Sequence, residues 1–289
     1  ITDQGKMTEE IQQALDAATT LTEVEDIYRP YKQKKKTRAS VAVERGLQPL
    51  ADFILAQDKN ADVNAEAEKY ISEEKGVPDA ASAIAGAKDI IAEIVSDDAN
   101  VRKKLRNLFM KNGVIETKLV DKEKDEAKTY EMYDGYSENV AQAKSHRILA
   151  INRGEKEGFL KVKIAFNEEI AKRIAAAGYL KDGGYSTQLV KEPADDGCER
   201  LIFPSIEREV RAALTDSASE AAIKMFEVNL KPLLMQPPVK DKITLGLDPA
   251  YRTGCKTAVV DGTGKVLDKT VVYPPPAPNQ NIYAAKRKL

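Results

Sequence analysis

The chain has 289 residues, 42% hydrophobic and 31% charged, which predicts a soluble globular body with room for two domains. Its 46 acidic and 45 basic residues nearly cancel, so overall charge offers no argument for a nucleic-acid partner, and any basic surface must come from local clustering. The two cysteines, Cys198 and Cys255, lie far apart without metal-ligand spacing, which argues against a disulfide scaffold or a zinc site and for a reducing cytoplasm; no apolar run approaches the roughly 20 residues of a membrane span, so no membrane partner is expected.

The opening ITDQGKMTEEIQQAL has neither a charged n-region nor an apolar h-region, so no signal peptide is read there. Without an initiator Met, these residues are not expected to be the native start. MTEEIQQALDAAT predicts a helix capped by Thr8, with Ile11, Ala14, Leu15 and Ala18 on one face. LTEVEDIYRPY continues in helical style until Pro30. After the basic run KQKKKTR, ASVAVERGLQPLADFILAQ reads as helix, Gly46 turn, helix. AEAEKYISEE and DAASAIAGAKDIIAEIVSD predict helices, and NVRKKLRNLFMKNG a further one with Asn100 as cap and Gly113 as stop.

VIETKLV alternates apolar and polar residues and predicts a strand; FLKVKIAF alternates likewise and is expected to pair with it. Between them, KEKDEAKTYEMYDGY reads as a charged helix, and SHRILAINRGEKEG as a helix with a Ser cap that stops at Gly154. EEIAKRIAAAGYL is helical, KDGGYSTQLVKEPADDG loop-like, and PSIEREVRAAL and ASEAAIKMFEVNLKPLLM two more helices, the second kinked or ended by Pro232. MQPPVKDK marks a boundary by composition. Beyond it, ITLGLD, KTAVVD and KVLDKTVVY predict strands, Asp261-Gly262-Thr263-Gly264 a hairpin link, and NIYAAKRKL a helix. Three antiparallel strands and a helix are the opening of a ribonuclease H-like fold.

Four features invite a chemical reading. From Arg29 to Arg45, seven basic residues (Arg29, Lys32, Lys34, Lys35, Lys36, Arg38, Arg45) stand against the single acid Glu44, a local net of +6. Such a cluster holds phosphates by charge without reading bases; the plain alternative is a solvated basic loop. The following helix–Gly–helix resembles a helix-turn-helix, with Pro49 early in its second helix. In VRKKLRNLFMK, Arg102, Lys103, Arg106 and Lys111 can share a polar side against Val101, Leu105, Leu108 and Phe109, the pattern of any amphipathic helix. His146, the one histidine, has no nucleophile beside it and is expected to make a structural hydrogen bond at a helix start. Asp248 ends the first late strand, where ribonuclease H-like nucleases place a Mg²⁺ ligand, but one carboxylate does not make a two-metal site. The plain reading is that it caps the turn DPAYRTG. No P-loop or dinucleotide fingerprint occurs, GTGK at 262–265 lacking the spacing, and no metal or other cofactor is expected.

The strings TLTEVEDIYRPYKQKKKTRA, AIAGAKDIIAEIVSDDANVRKKLR, KDEAKTYEMYDGYSE, SHRILAINRGEKEGFL and LGLDPAYRTGCKTAVVDGTGKVLDKTVVYP resemble the Tex family of bacterial accessory transcription factors, in order, from about residue 4 to the last. That family is also similar to the core of a eukaryotic elongation factor and histone chaperone. The resemblance implies a helical N-terminal region with a helix-turn-helix, a YqgF (ribonuclease H-like) domain, helix-hairpin-helix elements and a C-terminal OB-fold that binds RNA. This chain then comprises a mainly α region with a few short strands over residues 1–240, α+β in class, and the first strands of a truncated YqgF α/β domain over 241–289. One departure is Ala250, where the family pattern LDPG has glycine, which weakens any cradle at that turn. The implied function is non-catalytic: nucleic-acid binding, RNA or DNA without sequence preference, with transcription machinery as a further partner. The alternatives are a metal-dependent nuclease using Asp248 and a protein-interaction scaffold.

Overall fold

The computed structural model describes residues 1–32, 36–120, 125–181, 184–237, 240–250, 252–274 and 281–289. The chain forms two compact units, Ile1–Ala222 and Ile223–Leu289.

The first unit begins with α1 (Glu9–Ala17) and α2 (Leu21–Tyr28), whose cap residues Thr8 and Thr20 accept from the backbone N–H of Ile11 and Glu23. Glu23 also accepts from the Thr19 N–H, so both ends of this turn are tied. Pro30 sits in a 3₁₀ turn, Arg29–Tyr31, that ends the helical run. Helix α3 (Arg38–Glu44) starts on a reciprocal Thr37/Ser40 capping box. Gly46, at φ 85°, makes the turn into α4 (Gln48–Ala56), and Pro49 lies in that helix's first turn, where its missing N–H costs nothing. Gln57 ends α4 at φ 53°, strained for a residue with a side chain; its amide bonds Tyr179 O (2.6 Å) and Lys181 N (2.9 Å), which holds it there.

After α5 (Val63–Glu68) comes α6 (Ala80–Asp97), the central helix of the unit. The predicted helix AEAEKYISEE ends early, because Ser72 and Val77 bond each other across a turn. Along α6, Ala83, Ala87, Ile90, Ile91 and Val95 are buried at helical spacing, and its alanines let α3, α4 and α10 pack closely. Helix α7 (Ala99–Asn112) is capped by Asp98, which accepts from the N–H of Asn100 and Val101; the expected cap, Asn100, lies inside the helix.

Strand β1 (Val114–Leu119) is the centre of an antiparallel sheet ordered β2-β1-β3, with β2 at Ser137–Asn139 and β3 at Leu160–Ala165. The predicted pairing of the two alternating segments is present, Ile115 opposite Ile164 and Leu119 opposite Leu160. The segment read as a charged helix is 3₁₀ over Asp125–Tyr133. Helix α8 (Ser145–Lys156) runs through Gly154, which is no stop: a Cβ there would meet Leu160 and Tyr130 below 3 Å, so glycine permits the packing of α8 on β3.

Helix α9 (Glu168–Ala176) is capped by Asn167. Residues expected to form a loop instead make α10 (Tyr185–Gly197), which passes through a π turn, Cys198–Ile202, into α11 (Phe203–Leu234). Ser186, Leu189, Val190, Pro193, Ala194 and Gly197 are buried, a helical stripe that outweighs the hydrogen bond lost at Pro193. The two helices expected between 204 and 235 are one, with Pro232 in its last turn. Phe109 of α7 packs on Phe166 (4.0 Å between ring centroids) and Phe203 (6.3 Å), at the heart of the core.

In the second unit, β4 (Thr244–Asp248), β5 (Cys255–Val260) and β6 (Val266–Val272) form an antiparallel sheet in sequence order, followed by α12 (Ile282–Lys288). The link between β5 and β6 is the predicted one, fastened by Asp261, which accepts from the N–H of Thr263 and Lys265. Among the described residues, no helix is long and apolar enough to cross a membrane.

Candidate nucleic-acid interface

The basic segment divides by what its charges touch. Lys32, Lys36, Arg38 and Arg45 are exposed, and none makes a salt bridge or hydrogen bond to an acid among the described residues, although the Arg38 charge acts on Asp89. Lys36 and Arg38 flank the Thr37 cap at the start of α3, and Arg45 stands at its end. The Arg45 guanidinium lies over Gly76, and the Lys75 ammonium reaches Gly46, so the turn between α3 and α4 is flanked by two cations from separate segments. Lys75 was not singled out by sequence, since only the fold brings residue 75 to residue 46. Arg29 is different: its Nε donates to Asp97 at 3.1 Å. Lys34 and Lys35 lie outside the described residues.

Beside this segment opens a groove of about 710 Å³. Its charged lining is Lys6 and Lys32 against Glu44, Glu93, Asp97 and Asp98. With carboxylates in the majority, the groove repels a polyanion, which leaves the outer side of the segment to meet one. Helix α4, the second of the helix–turn–helix pair, has no basic residue; its exposed charge is Asp52.

Three of the four residues on the predicted basic side of α7, Arg102, Lys103 and Arg106, are taken up by the fold, and Lys111 stays exposed. Arg102 is only 1% exposed. Its Nε donates to Asp26 Oδ1 (2.7 Å), and its Nη2 donates to Ser205 (3.1 Å) and to Glu209. Arg106 Nη2 donates to Asp26 Oδ2 (2.7 Å) and Glu209 Oε2 (2.8 Å). Two arginines and two carboxylates thus join α2, α7 and α11 in one buried network. Lys103 donates to Glu23 at 2.7 Å. The amphipathic pattern could not reveal this, because Asp26 and Glu209 are 76 and 107 residues from Arg102 in sequence.

The network shifts its acids. Burial pushes the Glu209 carboxyl up, but the Arg106 hydrogen bond and the charges of Arg102 and Arg106 outweigh it and hold the group below the usual range. Glu23, bonded by Lys103 and by Thr19, is lowered to about 2. For Glu209 the folded pKa lies under the unfolded value near ~4.3. Its contribution to stability is therefore complete above about pH 4.3 and is lost as pH falls through the folded pKa. Unfolding free energy measured by denaturant titration from pH 7 to pH 2 is expected to fall on that acid limb, and Glu209→Gln to flatten part of it.

Asp248 is exposed, and its nearest charged partner is Lys256 at 3.9 Å, opposite it in the β4–β5 register. It does not cap the following turn: its side chain makes no hydrogen bond among the described residues. Among those residues no cluster of three potential metal ligands occurs. His146 lies in the first turn of α8 as expected, but it is exposed and its side chain has no hydrogen-bond partner among the described residues.

These features define a largely helical protein in which several cations of the 29–45 segment stay exposed while Arg102 and Arg106 knit helices together. The chain belongs to the Tex family: residues 58–226 match the family model described as Tex central region-like, and residues 242–289 match that of the Tex protein YqgF-like domain. It is 46% identical to the uncharacterized protein YdcI of Bacillus subtilis over 95% of this chain and 38% of the relative. It is 37% identical to the transcriptional accessory protein Tex of Neisseria gonorrhoeae over 94% of this chain and 36% of the relative. It is 31% identical to the human S1 RNA-binding domain-containing protein 1 over 94% of this chain and 28% of the relative. The chain thus spans little more than a third of the length of these bacterial relatives.

Proposed function

We propose that this chain is part of an accessory factor of transcription that holds RNA or DNA by its phosphates, without reading sequence and without cutting. The observation that carries the reading is the set Lys32, Lys36, Arg38 and Arg45, exposed and without a salt bridge or hydrogen bond to an acid among the described residues, in a chain whose net charge is −1. Lys34 and Lys35 add to the same segment by sequence. Cations of this kind release counterions from a phosphate backbone and so bind any sequence. A base-reading helix-turn-helix places its second helix in a groove; α4 brings Asp52 and no cation there, which favours backbone contact alone. The names of the relatives, a transcriptional accessory protein and an S1 RNA-binding domain protein, support a nucleic-acid-associated role. A non-catalytic role is supported by Asp248, whose charged neighbour is a lysine rather than further carboxylates.

The test is the salt dependence of binding to labelled 20-mers, single-stranded and duplex. Four phosphate contacts at ~0.7–0.9 each give a log–log slope of about −3 to −4, a loss of roughly 50- to 150-fold between 50 and 200 mM salt. Affinity that ignores salt, or Mg²⁺-dependent cleavage of the probe, would refute the reading.

A further inference from the structure

The sheet of the first unit carries a second set of free cations. On β1 and β3, Ile115, Thr117, Leu119, Leu160 and Ile164 are buried, so Glu116, Lys118, Lys161 and Lys163 point to the opposite face. The antiparallel register sets Glu116 opposite Lys163 and Lys118 opposite Lys161. Glu116 is already paired, its Oε2 lying 2.9 Å from Lys163 Nζ. Lys118 and Lys161 face each other with no acidic partner among the described residues. Like charges directly opposite one another on a sheet cost stability.

The lysines line an open groove of about 580 Å³. Its other acid, Asp134, accepts a hydrogen bond from the Leu119 N–H. The Tyr136 side chain belongs to the other face: it packs on the core beside Tyr133, ring centroids 5.6 Å apart, and its hydroxyl donates to Glu138, opposite Ile115 in the register. Three strands span about 10 Å from first to last, and Lys161 and Lys163 stand about 6.6 Å apart along β3. That face offers a narrow cationic strip, which meets a phosphate backbone by charge.

We propose that this sheet face is a second contact for a nucleic-acid backbone, in which Lys118 and Lys161 share phosphates. The inference rests on the nucleic-acid reading above and adds to it a site apart from the 29–45 segment. A phosphate between the two lysines removes the repulsion that the register builds in.

The test compares the full chain with Lys118→Glu/Lys161→Glu, with the neutral Lys118→Gln/Lys161→Gln, and with Lys36→Glu/Arg38→Glu. The probes are a labelled oligo-dT 20-mer and a poly-glutamate peptide. Both sheet variants are expected to weaken oligo-dT binding and to make its salt slope shallower by about 1.4, two contacts at ~0.7 each. The neutral variant is expected to melt no lower than the parent, which separates lost binding from lost fold. Sheet variants that bind oligo-dT like the parent while Lys36→Glu/Arg38→Glu weakens it would overturn this inference alone. Loss of poly-glutamate binding without loss of oligo-dT binding would overturn it in favour of an acidic protein segment. If the parent does not bind oligo-dT at all, both this inference and the reading it rests on fall.

Discussion

Replacing Asp26 with alanine is expected to destabilise the first unit by roughly 3–5 kcal/mol, the cost of removing one partner from a buried ion network. Asp26 is 5% exposed, and its two oxygens take one hydrogen bond each from Arg102 and Arg106. Without it, Glu209 remains as the single carboxylate facing two guanidinium groups. Arg102 has no route to water at 1% exposure, and its Nη1 is already buried without a partner among the described residues. The charge left uncompensated therefore stays in the interior. In denaturant titration the midpoint should fall with little change in slope, since the surface exposed on unfolding is unchanged. Asp26→Asn should cost less, because the amide oxygen still accepts one bond. A midpoint within experimental error of the parent would mean that α2 is not held to α7 and α11 by this network.

The variant Lys32→Glu/Lys36→Glu/Arg38→Glu/Arg45→Glu is expected to show the opposite profile: fold retained, binding lost. None of the four side chains makes a salt bridge or hydrogen bond to an acid among the described residues and all four are exposed, so no buried ion pair is broken, and each substitution should shift stability by no more than about 0.5 kcal/mol. Four attractive contacts become repulsive. Oligonucleotide affinity at 50 mM salt should drop by at least the roughly 50-fold that a fourfold rise in salt takes from the parent, and the salt slope should become shallower by about 3, four contacts at ~0.7–0.9 each. Full affinity in a variant with parental melting would remove the 29–45 segment from the interface.

The contrast between these variants shows what sequence can and cannot reveal here. Caps and turns are legible because they are local: Thr8 before α1, Gly46 at its turn and the Asp261 hairpin link are all where the residues place them. The pairing of β1 with β3 is legible from alternation. Helix α10 is obscured by Gly184 and Pro193, although its buried residues recur at helical spacing. In this case tertiary burial overrides propensity. The site is less legible. Arg38 and Arg106 look equally free in a linear reading, and only distant partners distinguish them: Arg106 meets Asp26 and Glu209, and Arg38 meets neither. The Lys118–Lys161 juxtaposition likewise appears only once the strand register is known.

The most direct measurement is a hydrogen-exchange footprint of the full chain with and without a saturating single-stranded oligonucleotide at 50 mM salt. Slowed exchange in peptides covering residues 29–48, with α7 (Ala99–Asn112) unchanged, is the predicted result. Slowed exchange in α7 with residues 29–48 unchanged would contradict it and return Arg102, Lys103 and Arg106 to the interface.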